Sequence, residues 1–260
     1  MIGNTDYVTR LVAGLELYIW GLAENKDAPV IFFAHGLCGS VQNSFKYCSD
    51  LANDGFIAIA INQRNHGSRT VDPSAYFGDV EDYTVKSYGM YVGTSKDISL
   101  IIDFLPAALG ITTNKIGMSG VSLGGHCTLI TMANDPRIAV GVPFIGSGDR
   151  KLQMKVRAEQ NGSNGVEFEN NFCPLLNELM KQYDPIYKPD VFKDRPLCMI
   201  NGGADKVVDS TPNTQLKVLL DEIYTDSDRL CLSIYKGVGH TVTPNMWAEG
   251  RAWFEKFLKQ

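Results

Sequence analysis

Short apolar runs of strand length alternate along the chain with stretches whose apolar residues recur every three to four positions. That alternation predicts a parallel sheet covered on both faces by helices. Residues 7–22 read as two opening strands joined by a turn near Ala13-Gly14. Val30 to Ala34 predicts a buried strand ending at His35-Gly36, and Phe56 to Asn62 the next one. Between them, Ser44 to Asn53 reads as a helix closed by Asp54-Gly55. Residues 64–93, rich in Tyr, Asp and Gly, read as a long irregular loop. A helix follows from about Ser95 to Leu109, because Ile98, Ile101, Ile102, Leu105 and Leu109 share one face. The run Lys115 to Met118 predicts a strand, Leu123 to Asn134 a helix, and Ile138 to Ile145 another strand.

The pattern breaks near Ser147. Residues 147–195 are polar and Asn-rich, with Lys, Glu and Gln at helical density. Alternation resumes after Arg195-Pro196, with strands at Leu197 to Asn201 and Arg229 to Tyr235. Thr211-Pro212 and Thr243-Pro244 each join an N-cap residue to a proline at the first helical position, so each opens a helix. The last helix should carry Trp247, Arg251, Phe254 and Leu258 along one side. The expectation is one domain over 1–260, with 147–195 a small helical cap. That segment is too short and polar to hold a large core of its own. A surface insertion without a binding role is the alternative.

Gly120-Val121-Ser122-Leu123-Gly124 lies where an apolar run meets a helix. It matches G-x-S-x-G, whose sharp strand-to-helix turn strains the serine backbone and exposes its Oγ above the sheet. A Cβ at either flanking glycine would collide with the neighbouring strand or helix. With 25 glycines in the chain the match alone is weak; its place between strand and helix gives it weight. The alternative is a Gly-rich turn whose serine only caps the helix.

Composition removes several other functions. Net charge is −5, and Lys and Arg form no stripe, which argues against nucleic acid or an anionic membrane as partner. Apolar runs such as Phe56 to Ile61 are too short to span a bilayer. The start, Met1 to Asp6, has no basic or apolar stretch of the kind that directs secretion. Cys38, Cys48, Cys127, Cys173, Cys198 and Cys231 are scattered with no C-x-x-C pair, so a reduced, cytoplasmic protein is the simplest expectation. No metal or organic cofactor is expected, because the four histidines are not at ligand spacing. The sequence leaves monomer and homodimer both open.

A serine hydroxyl needs a base within hydrogen-bond reach, and the base needs an orienting carboxylate. Elimination among the histidines leaves one base. His35 ends a strand well before Ser122, His66 lies in the loop after the next strand, and His126 shares the helix of Ser122 and cannot easily swing back. His240 follows the last strand, at the same sheet edge as Ser122. The acid should lie between serine and histidine and also follow a strand. Asp205, in Asn201-Gly202-Gly203-Ala204-Asp205, fits best; Asp209 and Asp184 are the rivals. For an oxyanion hole, the backbone N–H of Leu123 opens the helix, and the N–H of Leu37 follows His35-Gly36.

Together these residues resemble the α/β-hydrolase superfamily, and the likeness covers nearly the whole chain. His35-Gly36 is similar to its oxyanion-loop motif, Gly120 to Gly124 to its elbow, and the order Ser122, Asp205, His240 to its triad order. Asn62-Gln63-Arg64-Asn65-His66-Gly67 resembles the D-x-R-x-H-G segment, with Asn62 in place of the usual Asp. That segment is structural in the family, so Arg64 and His66 are expected as loop supports. The pattern is closest to the prolyl-oligopeptidase-like and dienelactone-hydrolase-like esterases. No propeller segment precedes it, which argues against a true oligopeptidase, and dienelactone hydrolases carry a cysteine where this chain has Ser122. The resemblance implies an eight-stranded, mostly parallel sheet.

The expected reaction is acyl transfer to water from a small or medium ester, thioester or lactone. The pocket is expected between the elbow, the 64–93 loop and the cap. Tyr88, Met90, Tyr91 and Phe172 are its candidate lining, with Tyr76, Phe77, Tyr83, Phe168 and Met180 behind them. Rival readings are an amidase or small-peptide hydrolase, a lyase or acyltransferase on the same scaffold, and a non-catalytic binding protein.

Overall fold

The computed structural model describes residues 6–22, 26–71, 80–170 and 172–260, with the side chains of 80–84 and 169–170 left aside. Eight strands form one sheet: β1 (Tyr7–Val12), β2 (Leu15–Trp20), β3 (Val30–Ala34), β4 (Ile57–Ile61), β5 (Ile116–Val121), β6 (Ile138–Phe144), β7 (Leu197–Gly202) and β8 (Leu230–Tyr235). Their order is β1-β2-β4-β3-β5-β6-β7-β8. β1 and β2 pair antiparallel, as do β2 and β4; every pairing from β4 through β3 to β8 is parallel. Strands covered on both faces need no polar side, and accordingly every residue of β3 and β4 is buried.

The strand period of two divides the core. Val30, Phe32, Ala34, Met118 and Met199 point to one face. There they meet α2 (Val80–Leu109), α3 (Leu123–Asn134) and α7 (Thr211–Asp221) through Ile98, Leu129 and Leu216. Ile31, Phe33, Val142 and Ile200 point to the other face, against α1 (Phe45–Asn53) and α8 (Pro244–Leu258) through Leu51, Met246, Trp247 and Phe254. α8 opens as expected: the Thr243 hydroxyl accepts from the Met246 N–H, and Pro244 takes the first helical position. Trp247, Phe254 and Leu258 are buried, while Arg251 pairs with Asp54.

Between β6 and β7 lie α4 (Arg150–Gln160), α5 (Gly165–Asn170) and α6 (Pro174–Tyr183). Asp149 caps α4 by accepting from the Leu152 N–H.

One expectation is corrected. Residues 80–93 are helix, not loop, because α2 begins at Val80. Tyr88, Tyr91, Ser95, Ile98, Ile102 and Leu105 continue one buried stripe, and Gly89 and Gly93 disguise it in the sequence. Gly93 is there for another reason: a Cβ would strike the Arg64 side chain, which crosses the helix at that point. Tyr76 and Phe77 lie outside the described residues, as does the side chain of Tyr83. No helix among the described residues is long and apolar enough to cross a membrane.

Candidate active site

Ser122 stands between the end of β5 and the start of α3 with φ 57 and ψ −110, a strained conformation for a residue with a Cβ. The close packing of the elbow forces it. A Cβ on Gly120 would lie 2.5 Å from the Gly124 carbonyl oxygen, and one on Gly124 would strike the Ala34 carbonyl. The serine does not use its hydroxyl to cap α3. Its Oγ lies 2.9 Å from His240 Nε2, so the capping alternative does not describe it.

His240 reaches this position from the loop between β8 and α8. Gly237, at φ 75, lets the chain turn there, and the Val238 N–H donates to the Tyr235 carbonyl. His240 Nδ1 lies 2.7 Å from Asp205 Oδ2. The other carboxylate oxygen, Oδ1, accepts from the N–H groups of Val207 and Val208 at 2.8 and 2.9 Å. Burial alone would raise the Asp205 carboxyl. The hydrogen bond with His240 and the two backbone donors outweigh it and hold the group below the usual carboxylate range. Both rivals for the acid are engaged elsewhere. Asp209 accepts from the Thr211 N–H and from Gln160, and Asp184 from the Tyr88 hydroxyl and the Arg150 N–H.

Leu123 opens α3, so its N–H is one of the first-turn donors that no helical carbonyl can reach. Gly36 and Gly39 close a turn around Leu37 and Cys38, with the Gly39 N–H donating to the Gly36 carbonyl. A Cβ on Gly36 would lie 3.9 Å from Ser122 Cβ, so this loop runs directly beside the serine.

The segment after β4 holds that loop. His66 Nε2 accepts from the Cys38 N–H at 3.3 Å, and its Nδ1–H donates to the Arg64 carbonyl at 2.9 Å. His35 is wired the same way: Nε2 accepts from the Gln63 N–H, and Nδ1–H donates to the Gly36 carbonyl. Burial pushes His35 down to about 4 and lowers His66 as well, so both rings are neutral donor–acceptor bridges. Asn62 Oδ1 accepts from the Val41 N–H, and its Nδ2 donates to Ser68 Oγ. An Asp could accept there but not donate, which accounts for Asn in this chain. Arg64 and Arg69 both pair with Asp97 of α2. Sequence reading missed Asp97, although a carboxylate next to Ile98 on a buried stripe was a usable signal.

The candidate lining residues are mostly packing. Tyr88, Met90 and Tyr91 are buried in a cluster with Leu123, Ile130, Leu176 and Met180, with Phe172 at its margin. The Tyr88 hydroxyl is spent on Asp184 and the Leu179 carbonyl. Phe172 packs on Phe168, with the Lys151 ammonium over its ring. Two open hollows, of 510 Å³ on α6 and 420 Å³ near Val8 and Leu109, include no residue of the Ser122 site. One group that sequence spacing did not show is Cys198, Cys231 and Glu249, whose ligand atoms lie within 4.8 Å of one another. The cysteines are paired across β7 and β8, far apart in sequence. The Glu249 carboxylate there already accepts from the Ser233 and Tyr235 hydroxyls.

With this geometry in view, likeness to known proteins can be placed. The sequence model of the prolyl oligopeptidase family matches residues 47–260. "Putative esterase YitV" of Bacillus subtilis (strain 168) is 23% identical over 240 residues, which span 90% of this chain and 91% of that protein. Among solved structures, TT1662 from Thermus thermophilus superposes with a TM-score of 0.77 at 21% identity, covering 98% of this chain and 99% of that one. The Pyrococcus furiosus esterase Pf2001 gives 0.66 at 14% identity, covering 97% and 93%. The shared architecture is the α/β-hydrolase fold.

Proposed function

The chain belongs to the prolyl oligopeptidase family, and from that premise we propose a serine carboxylesterase with Ser122 as nucleophile, His240 as base and Asp205 as its orienting acid. The observation that carries this reading is the unbroken relay Ser122 Oγ, His240 Nε2, His240 Nδ1, Asp205 Oδ2, at 2.9 and 2.7 Å. The name of the Bacillus relative, an esterase, favours esters over amides. The family's own name keeps small peptides as the second reading.

In this mechanism His240 takes the Ser122 proton as Oγ attacks the ester carbonyl. Asp205, held ionised, fixes the proton on Nδ1 and stabilises the imidazolium. The negative charge that develops on the carbonyl oxygen is met by the N–H groups of Leu123 and Leu37. His240 then protonates the leaving alkoxide. Water, deprotonated by the same imidazole, releases the acid from Ser122. Residues 147–195 act as the cap of a single domain, and the substrate is a small or medium ester, thioester or lactone.

Labelling with a fluorophosphonate tests the assignment. The native protein should label and hydrolyse 4-nitrophenyl esters. Ser122→Ala should lose the label and about 10⁶ of the turnover number, as removal of a triad nucleophile does. A native protein that neither labels nor turns over esters would point to the binding-protein alternative, and preference for matched amides to the peptidase one.

A further inference from the structure

His126 and Arg150 meet one turn along α3 from the nucleophile, and their hydrogen bonds do not close. A neutral imidazole has one accepting nitrogen. Two donors compete for this ring: the Ser147 N–H at 2.7 Å from Nδ1, and Arg150 Nη1 at 3.1 Å from Nε2. Burial, and then the Arg150 charge, push the ring's pKa far down, so it does not relieve the conflict by ionising. The backbone donor is the shorter contact and is fixed by the chain, so it takes the lone pair on Nδ1. Nε2 then carries the hydrogen and faces Arg150, donor against donor. Arg150 Nε has no partner at all, although the residue is only 9% exposed. Among the described residues no carboxylate pairs with the guanidinium. Asp184 accepts from the Arg150 backbone, and Asp149 is occupied as the cap of α4. The Tyr91 ring, 5.1 Å away, is a weak substitute for an anion.

The cluster lies beside the catalytic groups. His126 donates its N–H to the Ser122 carbonyl, and the His240 charge bears on its ring. Gln153, next on the buried face of α4, donates to the Val207 carbonyl in the loop that holds Asp205. Its Oε1 also lacks a partner. The inner face of α4 therefore spans from the nucleophile helix to the acid loop, and its guanidinium has no counter-ion.

We infer that Arg150, with His126 Nε2–H, forms a subsite for a carboxylate carried by the substrate, so that the preferred esters are those bearing a second, negatively charged group close to the scissile bond. A carboxylate oxygen supplies the acceptor that Arg150 Nε, Arg150 Nη1 and His126 Nε2 all lack, and a guanidinium meets it as a two-pronged donor. This inference rests on the serine-hydrolase reading and adds the substrate class to it.

The experiment compares kcat/KM for matched pairs. One pair varies the acid half: the 4-nitrophenyl monoester of succinic acid against 4-nitrophenyl butyrate. The other varies the alcohol half: O-acetylglycolate against ethyl acetate. The native enzyme should favour the anionic member of at least one pair by roughly ten- to a hundredfold, the range of a hydrogen bond to a charged group. The ratio should fall towards one in Arg150→Met. It should also fall in Gln153→Glu, which keeps Arg150 and sets a resident carboxylate one helical turn away; this second variant guards against a misfolded first. Equal or better turnover of the neutral member in both pairs overturns the inference, as does a preference that survives in both variants. If no ester is cleaved, the hydrolase reading itself fails. In that case the thermal midpoint with succinate decides: a rise in the native protein that Gln153→Glu loses supports the subsite, and no rise overturns it.

Discussion

Two histidine clusters flank Ser122, and they are wired in opposite ways. Under the Gly36–Gly39 turn, His35 and His66 each accept one backbone N–H and donate to one carbonyl, so each neutral ring meets both of its needs. The single lapse among those neighbours is Gln63 Oε1. Under α4, His126 and Arg150 crowd donors together with nothing to accept. A closed set of hydrogen bonds rigidifies a loop that must hold an oxyanion donor in place. An open set costs stability, and such a cost is characteristic of a surface awaiting a ligand. The difference separates scaffold from recognition more sharply than burial does, since the residues of both clusters are largely buried.

The contrast can be broken by pH first. A base whose folded pKa is depressed is protonated more readily when unfolded, so stability is full above the unfolded value of 6.5 and falls as pH drops towards the folded one. For His35, at about 4, the loss between pH 6.5 and 4 should reach about 3 kcal/mol and then level off. Urea midpoints at several pH values measure it, and His35→Gln should flatten the curve. The second cluster should answer in the opposite sense. Arg150→Met removes a buried charge with no counter-ion, and we expect the folded state to gain about 1–2 kcal/mol. A lower thermal midpoint in that variant would place Arg150 with the scaffold. The smallest effect concerns Asn62. Asn62→Asp keeps the acceptor for the Val41 N–H but loses the donor to Ser68, and should cost about 1 kcal/mol by chemical denaturation.

The strands were legible in the sequence because each is an uninterrupted apolar run, and the helix after Ser122 because its start is marked by the elbow glycines. The triad was legible because residue types, order and position after strands all agreed. Where local and tertiary signals diverged, the reading failed. Gly93 looked like a helix breaker, but its missing Cβ makes room for Arg64. Tyr88, Met90 and Tyr91 looked like pocket lining, but they pack behind Leu123. Arg150 lay unnoticed in a polar stretch, where a buried arginine and a solvated one are spelled alike.

By itself the sequence determined the sheet, the helices and the three residues of the relay, since these follow from local periodicity and from chain order at one edge of the sheet. Only the tertiary structure decided which polar groups are satisfied. Hydrogen-bond closure depends on atoms brought together from residues as distant as Cys38 and His66, or His126 and Arg150, and no local pattern encodes whether the donors and acceptors in such a meeting balance.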